Sequence, residues 1–372
     1  MSDHNVAIVD RHAWYVPDIE RNVLARSGAS VEVSWSRIAQ RPPQADAGAA
    51  NADEARALSP ITSGFVPPSI TTEDRVIEMA RDADGILCVR ADITAKVMDA
   101  LPRLKVVGRY GIGLDNIDTE AAAERGIAVV YAPGFCAREV ADHTMAMLLA
   151  CSRKLEPLHR ALLQGTWGRD AASPMSALYA QTVGLIGFGQ IGRAVATRAR
   201  AFGLRVLAFD PAVDAKTAAA LGVELVPMET LIGESDYVSL HMPLTSATRH
   251  LIDEQRIARM KPTAFLINTS RGPLVDEPAL ATALAKRQIA GAALDVFERE
   301  PLPESSPLVR LDNVLLSPHI GGLSDEAQVQ LREIVSTAMA EALSGRWPSG
   351  PELFSPRTPA ERARSRVVAG RR

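Results

Sequence analysis

The fold of this chain is decided by the segment Thr182-Val-Gly-Leu-Ile-Gly-Phe-Gly-Gln-Ile-Gly-Arg193. It begins as a short apolar run, as in a buried strand, and places Gly187, Gly189 and Gly192 where an amphipathic helix starts. In such a turn the first glycine permits a sharp bend, the second lets the backbone approach a pyrophosphate, and the third allows close helix–strand packing. Gln190 and Ile191 lie in the turn where this helix begins, and the N–H groups and positive dipole of a helix N-terminus favour a bound anion. The segment therefore predicts a strand–turn–helix unit that binds a dinucleotide.

A carboxylate follows the next strand candidate, Arg205–Phe209. Asp210 stands where it can accept hydrogen bonds from both hydroxyls of an adenosine ribose, and it would repel a 2′-phosphate. No arginine follows it directly in Asp210-Pro-Ala-Val-Asp214. We therefore predict NAD rather than NADP as the cofactor, and the alternative is that Asp210 is only a turn residue before Pro211.

Strand-like runs alternate with helical periods over most of the chain, which is the rhythm of βαβ units. In the first part the strand candidates are Val6–Val9, Val31–Trp35, Ile86–Val89, Lys105–Arg109 and Ile127–Tyr131. In the second part they are Thr182–Ile186, Arg205–Phe209, Tyr237–Leu240, Ala264–Ile267, Ala292–Leu294 and Val314–Leu316. We predict an α/β protein with two doubly wound parallel-sheet domains.

Three further segments shape this organisation. Ala39–Ser69 is rich in Ala, Pro, Gly and Asp without apolar periodicity, and it is longer than an ordinary βα connection, so we expect an insertion or lid loop. A long apolar helix is predicted from about Arg138 to Arg153. The segment Arg346–Arg372 is rich in Pro and Arg with little to bury, which predicts a flexible tail.

Composition and charge argue against several classes of protein. The net charge of −3 over 372 residues provides no overall positive field for nucleic acid or anionic lipid. Three cysteines, Cys88, Cys136 and Cys151, form neither a disulfide framework nor a zinc-site spacing, so we expect no metal and a reducing, cytoplasmic setting. No run of about eighteen apolar residues and no export signal are present, which argues against a membrane location.

Three polar residues follow late strand candidates: Arg271, Glu300 and His319. Ligands of such folds bind at the carboxyl ends of the strands. Reducing a ketone by hydride leaves an oxyanion that needs a proton, and the reverse reaction needs a base, so His319 could serve both directions. Glu300 could hold the other ring nitrogen and favour the protonated imidazole. Arg271 could bind a substrate carboxylate and polarise the adjacent carbonyl, because a guanidinium presents its donors in a fixed fork.

Each of these residues also has a purely structural interpretation. An arginine after a strand is often a surface ion-pair partner, and a histidine after a proline is often a loop residue. Glu298 and Asp295 compete with Glu300 for the position beside His319, and the sequence leaves that choice open.

The chain resembles the D-isomer-specific 2-hydroxyacid dehydrogenases, a family that includes D-3-phosphoglycerate dehydrogenase, glyoxylate and hydroxypyruvate reductases, and the C-terminal binding proteins. The resemblance extends from about Lys105 to Ala327 and follows the family's order of motifs. These motifs are Val107–Asp118, Glu139-Val-Ala-Asp-His-Thr144, Gly187–Gly192, His241-Met-Pro-Leu244, Asn268–Asp276, Ala293–Glu298 and Ser317-Pro-His319. Gln190 departs from the pattern, since many relatives carry arginine there and gain a further pyrophosphate contact.

The resemblance implies an NAD-dependent oxidoreductase that transfers a hydride between nicotinamide and a small D-2-hydroxy acid or 2-keto acid. It assigns Arg271, Glu300 and His319 the roles argued above, and it places four residues along the cofactor: His241, Pro243, Thr269 and Asp295. It also implies that a substrate carboxylate is received by backbone amides of Tyr110, Gly111, Ile112 and Gly113. Arg90 and Arg109 would contact the distal part of the substrate, or would instead pair with acids of their own domain.

The resemblance further implies a Rossmann-type NAD-binding domain over residues 134–318 and a flavodoxin-like substrate-binding domain over residues 1–133 and 319–345. The cleft would close over the cofactor, and the family dimerises through the Arg138–Arg153 helix and the arm after it, so a homodimer is expected. Two alternatives share the fold. One is an NAD(H)-sensing partner protein like the C-terminal binding proteins, and the other is formate dehydrogenation, which would not need a Glu–His pair.

Overall fold

The computed structural model describes residues 4–10, 17–25, 29–32, 72–168, 172–346, 348, 350 and 353–354. The predicted insertion Ala39–Ser69 and nearly all of the predicted tail lie outside these residues. The chain divides into two compact units, Met1–Phe135 with Gln328–Arg372, and Cys136–Ala327. By this division the first unit resumes at Gln328, and residues 319–327 belong to the second unit, in which the His319 N–H donates to the Asp295 oxygen.

In the described part of the first unit, six strands form one sheet in the order β13-β5-β4-β3-β1-β2. They are β1 (His4–Ile8), β2 (Ala29–Glu32), β3 (Gly85–Cys88), β4 (Val106–Arg109), β5 (Ala128–Val130) and β13 (Leu353–Phe354). All of them pair in parallel except β13, which adds antiparallel to β5. The order β2-β1-β3-β4-β5 is that of the flavodoxin-like folds. The helices of this unit are α1 (Asp18–Ala25), α2 (Glu73–Met79), α3 (Ala95–Asp99), α4 (Thr119–Glu124) and most of α12 (Asp325–Leu343).

The sheet of the first unit is buried on both faces. Because side chains of a strand alternate between faces, β1 sends Val6 and Ile8 to one side and Ala7 to the other. The first side packs against Leu24 of α1 and the apolar stripe of α12, and the second packs against α2, α3 and α4. This two-sided burial is why the strands read as continuous apolar runs in the sequence.

In the described part of the second unit, seven parallel strands form a sheet in the order β12-β11-β10-β9-β6-β7-β8. They are β6 (Thr182–Ile186), β7 (Arg205–Phe209), β8 (Glu224–Leu225), β9 (Tyr237–Leu240), β10 (Phe265–Asn268), β11 (Gly291–Leu294) and β12 (Val314–Leu316). The order reverses between β6 and β9, which is the switch point where Rossmann-type sheets bind ligands. The prediction of two doubly wound parallel sheets, one Rossmann-type and one flavodoxin-like, is confirmed.

The helices of the second unit begin mostly at side-chain caps or glycine turns. They are α5 (Ala137–Ser152), α6 (Leu155–Leu163), α7 (Gln190–Ala201), α8 (Ala215–Ala220), α9 (Met228–Glu234), α10 (Glu254–Ile257) and α11 (Glu277–Ala285), with short 3-10 helices at Leu178–Ala180, Gly272–Leu274 and Pro307–Arg310. Asp214, Asp253 and Asp276 accept hydrogen bonds from backbone N–H groups three residues later and so fix where α8, α10 and α11 start.

Candidate active site

The glycine turn after β6 packs closely against the backbone at two glycines and faces open space at the third. Gly187 has φ +100°, and a Cβ on it would lie 2.5 Å from the carbonyl oxygen of His241. A Cβ on Gly192 would lie 2.3 Å from the Gly187 oxygen, so α7 approaches the strand closely. Gly189 forms the N-cap of α7 without a side-chain bond, and a Cβ there would meet nothing within 4 Å. Among the described residues no side chain caps α7, and the N–H groups of Gln190 and Ile191 at its start fit the pyrophosphate of a dinucleotide.

Asp210 ties the end of β7 to this turn. Its Oδ2 accepts a hydrogen bond from the Phe188 N–H at 2.8 Å, and its Oδ1 accepts one from the Ala212 N–H at 2.9 Å. The structural role that the sequence left open is therefore present. Each carboxylate oxygen has a second lone pair, so the same side chain can also accept the hydroxyls of an adenosine ribose.

The segment after β9 lies between the glycine turn and the loop after β10. The His241 N–H donates to the Ile186 oxygen at 2.7 Å, and its Nε2 lies 2.9 Å from Ser239 Oγ. Burial lowers the pKa of His241 to about 4, so the ring is neutral near neutral pH. The Pro243 oxygen accepts a bond from Thr248 Oγ1 at 2.8 Å, which fixes the far end of the segment.

The loop after β10 holds Arg271 and is tied at several points. The Asn268 side chain accepts from the Ser270 N–H at 3.1 Å and donates to the Arg271 oxygen at 2.8 Å. Arg271 Nη1 donates to the Ser270 oxygen at 2.7 Å. A Cβ on Gly272 would lie 1.9 Å from the backbone of Phe297, so only glycine lets this loop lie against the segment after β11. That segment carries Glu300.

His319 and Glu300 form a direct pair. His319 Nδ1 lies 2.7 Å from Glu300 Oε2, and Glu300 Oε1 accepts from the Phe297 N–H at 3.2 Å. His319 has φ +56°, and its N–H donates to the Asp295 oxygen at 2.8 Å. The imidazole is 36% exposed, and within the described residues no hydrogen bond reaches its Nε2. One ring nitrogen is thus oriented by a carboxylate while the other is accessible.

The geometry separates the three acids that the sequence could not tell apart. Glu298 pairs with His250 at 2.6 Å, so it belongs to a different His–Glu pair. Asp295 is buried and accepts from Ser317 Oγ at 2.5 Å and from the N–H groups of Ile320 and Gly321. Burial alone would raise the pKa of Asp295, but these bonds and that from His143 outweigh it and hold the pKa below its usual value. The acid beside His319 is Glu300.

In the first unit, two loops carry the residues that are expected to contact substrate. Each loop donates hydrogen bonds to an acidic side chain that the sequence analysis missed. Both oxygens of Asp10 accept hydrogen bonds from the N–H groups that follow β3, those of Val89, Arg90 and Ala91, at 2.5–2.6 Å. No motif in the sequence marks Asp10, because it is distant along the chain from the loop that it holds. Its carboxylate determines the path of the backbone at Arg90.

The loop after β4 is held in a similar way. The Tyr110 hydroxyl donates to the buried carboxylate of Glu20 at 2.9 Å, and Arg332 of α12 donates to both oxygens of that carboxylate at 2.8 and 2.7 Å. Arg109 Nη1 donates to the Tyr110 oxygen at 2.9 Å and lies over Gly111, where a Cβ would collide with it. Half-buried Ile112 and Gly113 follow. The sequence could have indicated Glu20, because this acid lies on the same face of α1 as the buried Leu24.

Among the described residues, none of the helices combines the length and apolarity needed to cross a membrane. In that same part of the chain, no group of three or more His, Cys, Asp and Glu side chains is arranged to hold a metal ion.

Comparisons with known proteins show which family the chain resembles. A family model described as D-isomer specific 2-hydroxyacid dehydrogenase, NAD binding domain, matches residues 145–321. A glyoxylate reductase from Korarchaeum cryptofilum is 44% identical over 275 residues, which cover 73% of this chain and 82% of that protein. A D-3-phosphoglycerate dehydrogenase from Methanocaldococcus jannaschii is 43% identical over 277 residues, but the chain spans only 52% of its length. The solved structure of the TT0316 protein from Thermus thermophilus is similar with a TM-score of 0.75 and 32% identity, covering 94% of this chain and 99% of that one.

Proposed function

The chain belongs to the D-isomer specific 2-hydroxyacid dehydrogenase family and is an NAD-dependent oxidoreductase, and we propose that Arg271, Glu300 and His319 are its catalytic residues. The observation that carries this proposal is the 2.7 Å pair between His319 and Glu300, which stands at the same sheet edge as the glycine turn. The names of its relatives indicate glyoxylate and the phosphorylated three-carbon acids as the first substrates to test.

The cofactor would be held at the carboxyl ends of β6, β7 and β9. The Gly187–Gly192 turn would receive its pyrophosphate, and Asp210 would accept the ribose hydroxyls. His241, Pro243, Thr269 and Asp295 would border the rest of the site. When bound, the reduced cofactor supplies the hydride that reduces the keto carbon, and the oxidised form accepts it in the reverse direction.

His319 moves the proton. In its protonated form Nδ1–H donates to Glu300 and Nε2–H donates to the substrate oxygen, which keeps the proton when the keto carbon is reduced. In the oxidation direction the neutral ring accepts that proton at Nε2. Glu300 stabilises the imidazolium and fixes the ring orientation, so the same nitrogen faces the substrate in both directions.

Arg271 binds and polarises the substrate. A guanidinium carries five N–H donors in a planar fork, and its bond to the Ser270 oxygen orients that plane. The fork would bind the substrate carboxylate and bring positive charge to the adjacent carbonyl oxygen, where negative charge develops. In the first unit, the backbone amides from Tyr110 to Gly113 are the proposed ligands of a substrate carboxylate. Arg90, whose N–H donates to Asp10, and Arg109 are the proposed contacts of the distal group of the substrate.

The test is reduction of glyoxylate, hydroxypyruvate and phosphohydroxypyruvate by NADH. A His319→Ala variant should lose about 10²–10⁴-fold in kcat, as expected for a general acid. His250→Ala is the matched control, because it removes another αL histidine paired with a glutamate and should stay within about twofold of the parent. A His319→Ala variant as fast as the parent would show that another group carries the proton.

We also propose that the protein is a homodimer formed through α5 and α6. None of the residues of helix α6 is fully buried, and a helix shorter than about 12 residues is marginal in water without a packing partner. Large apolar side chains on this arm are exposed: Leu163 by 75%, Trp167 by 83% and Tyr179 by 78%. Light scattering should give a dimer mass that falls to the monomer in a Leu163→Asp variant, and a monomeric parent would refute the proposal.

A further inference from the structure

We propose that helix α5 sets the spacing of the two catalytic loops, with His143 and Thr144 as positioning residues. The inference rests on the proposed function and deepens it. Both residues belong to the motif Glu139-Val-Ala-Asp-His-Thr144, to which the sequence analysis assigned no role. One contacts the loop that carries His319, and its neighbour contacts the loop that carries Arg271.

His143 acts on the loop after β12 through Ser317. The single hydroxyl proton of Ser317 is directed to Asp295 Oδ1 at 2.5 Å. In the 3.0 Å contact between His143 Nε2 and Ser317 Oγ, the imidazole N–H must therefore be the donor. The same nitrogen lies 3.4 Å from Asp295 Oδ1. His143 thus fixes both the serine and the acid on which the loop is built.

The His319 loop requires such support. A non-glycine residue in the left-handed region is strained by the approach of its Cβ to the following carbonyl oxygen, and His319 has φ +56°. Asp295 holds the residues on both sides of it by accepting bonds from Ser317, Ile320 and Gly321. A Cβ on Gly321 would lie 2.9 Å from Asp295 Oδ2 and 3.4 Å from His143 Cδ2, so the loop packs directly on this pair.

Thr144 acts on the loop after β10. Its own hydroxyl proton goes to the Val140 oxygen at 2.7 Å, so in the 2.9 Å contact between the two threonines Thr269 is the donor. Thr144 is fully buried and Thr269 nearly so. Thr269 stands just ahead of Ser270 and Arg271, in the loop that Asn268 closes.

One rigid helix therefore contacts both loops at adjacent residues. A turn earlier, Glu139 Oε1 accepts from Ser324 Oγ at 3.2 Å, and this hydroxyl also caps the Ala327 N–H at 3.0 Å. Helix α5 thus binds the His319 loop at its beginning and beyond its end. Small errors in the placement of catalytic groups cost large factors in rate, so loss of these contacts should appear in kinetics rather than only in stability.

The two contacts should affect different kinetic constants. His143→Phe keeps the ring volume and removes the donor, so kcat for keto-acid reduction should fall about 10–100-fold and the solvent isotope effect should rise, because proton transfer becomes slower. His143→Gln, whose amide can still donate to Ser317, should recover part of the loss. Thr144→Val leaves the Thr269 hydroxyl without its acceptor and should raise KM for the keto acid about fivefold, whereas Thr144→Ser should not.

Two controls isolate the effect of the loops. Asp142→Asn changes the neighbouring residue of α5, which pairs with Arg198 at the surface. Thr282→Val removes from α11 the same kind of threonine-to-backbone bond that Thr144 makes. Both should leave kcat and KM within about twofold of the parent. Cofactor affinity, measured by NADH fluorescence, and the melting temperature are recorded for every variant of the full chain.

The outcomes are distinguishable. The inference is wrong, and α5 is only structural, if His143→Phe and Thr144→Val lower the melting temperature but leave kcat and KM at parental values. If His143→Phe does not fold, His143→Gln takes its place in this comparison. The proposed function still stands in that case if His319→Ala is inactive. A parent that reduces none of the keto acids would overturn the proposed function, and this inference with it.

Discussion

Replacing Glu300 by glutamine removes the charge beside His319 while keeping the length of the side chain. A hydrogen bond to a charged group contributes about 1.5–3 kcal/mol. Because His319 is 36% exposed and Glu300 is 20% exposed, solvent screening places this pair near the lower end, at about 1.5 kcal/mol. That loss of stabilisation of the imidazolium corresponds to about a tenfold decrease in kcat for reduction at neutral pH.

The loss should appear in kcat rather than in cofactor affinity, because Glu300 contacts His319 and the change leaves the bond between Asp210 and the glycine turn intact. NADH-dependent reduction of the keto acids at neutral pH measures kcat, and NADH fluorescence measures the affinity for the cofactor.

The control is Glu298→Gln, which breaks the analogous pair with His250 at 2.6 Å. It should leave kcat within about twofold of the parent. A parental kcat in Glu300→Gln would refute the assignment of Glu300, and a loss of about tenfold in Glu298→Gln alone would transfer the role to the other pair.

Three further changes test particular contacts. Arg332→Met leaves the buried carboxylate of Glu20 without its bidentate partner and should cost about 3–5 kcal/mol in urea unfolding, whereas a cost below about 1 kcal/mol would contradict the account. Burial lowers the pKa of His241 to about 4 in the folded protein, below its unfolded value of about 6.5. The neutral ring therefore contributes fully to the free energy of unfolding above about pH 6.5, and this contribution is lost as the pH falls through about 4. The difference in unfolding free energy between the parent and His241→Gln should therefore shrink from neutral pH to pH below that value, and a constant difference would be inconsistent with a neutral ring. Gly272→Ala places a Cβ 1.9 Å from the Phe297 backbone and should destabilise the protein by about 1–3 kcal/mol and lower kcat/KM, whereas parental kinetics would show that the loop contact is dispensable.

The sequence predicted the fold well wherever an apolar run ends at a residue with a clear backbone preference. The strands Thr182–Ile186 and Arg205–Phe209 agree with the structure residue for residue, since Gly187 and Asp210 mark their ends. Glu224–Leu225 and Leu353–Phe354 were not predicted, because two residues are too few to show a period of two. The second strand was predicted to begin at Val31, whereas β2 begins at Ala29 in the structure.

The site was predicted less completely than the fold. Residues at the carboxyl ends of strands could be found, because parallel strands place those ends on one edge. The choice between Glu298 and Glu300 could not be made, since it depends on how a single loop turns beyond β11. Asp10 and His143 act across long stretches of sequence, and no local pattern links them to the loops that they hold.

The most direct test is a crystal structure of the protein with NAD and oxamate, a non-reacting mimic of a 2-keto acid. We expect His319 Nε2 within about 3 Å of the oxamate carbonyl oxygen and the Arg271 guanidinium bound to its carboxylate, with the nicotinamide against the same carbon. Oxamate bound away from both side chains, or an imidazole directed away from the nicotinamide, would contradict the account.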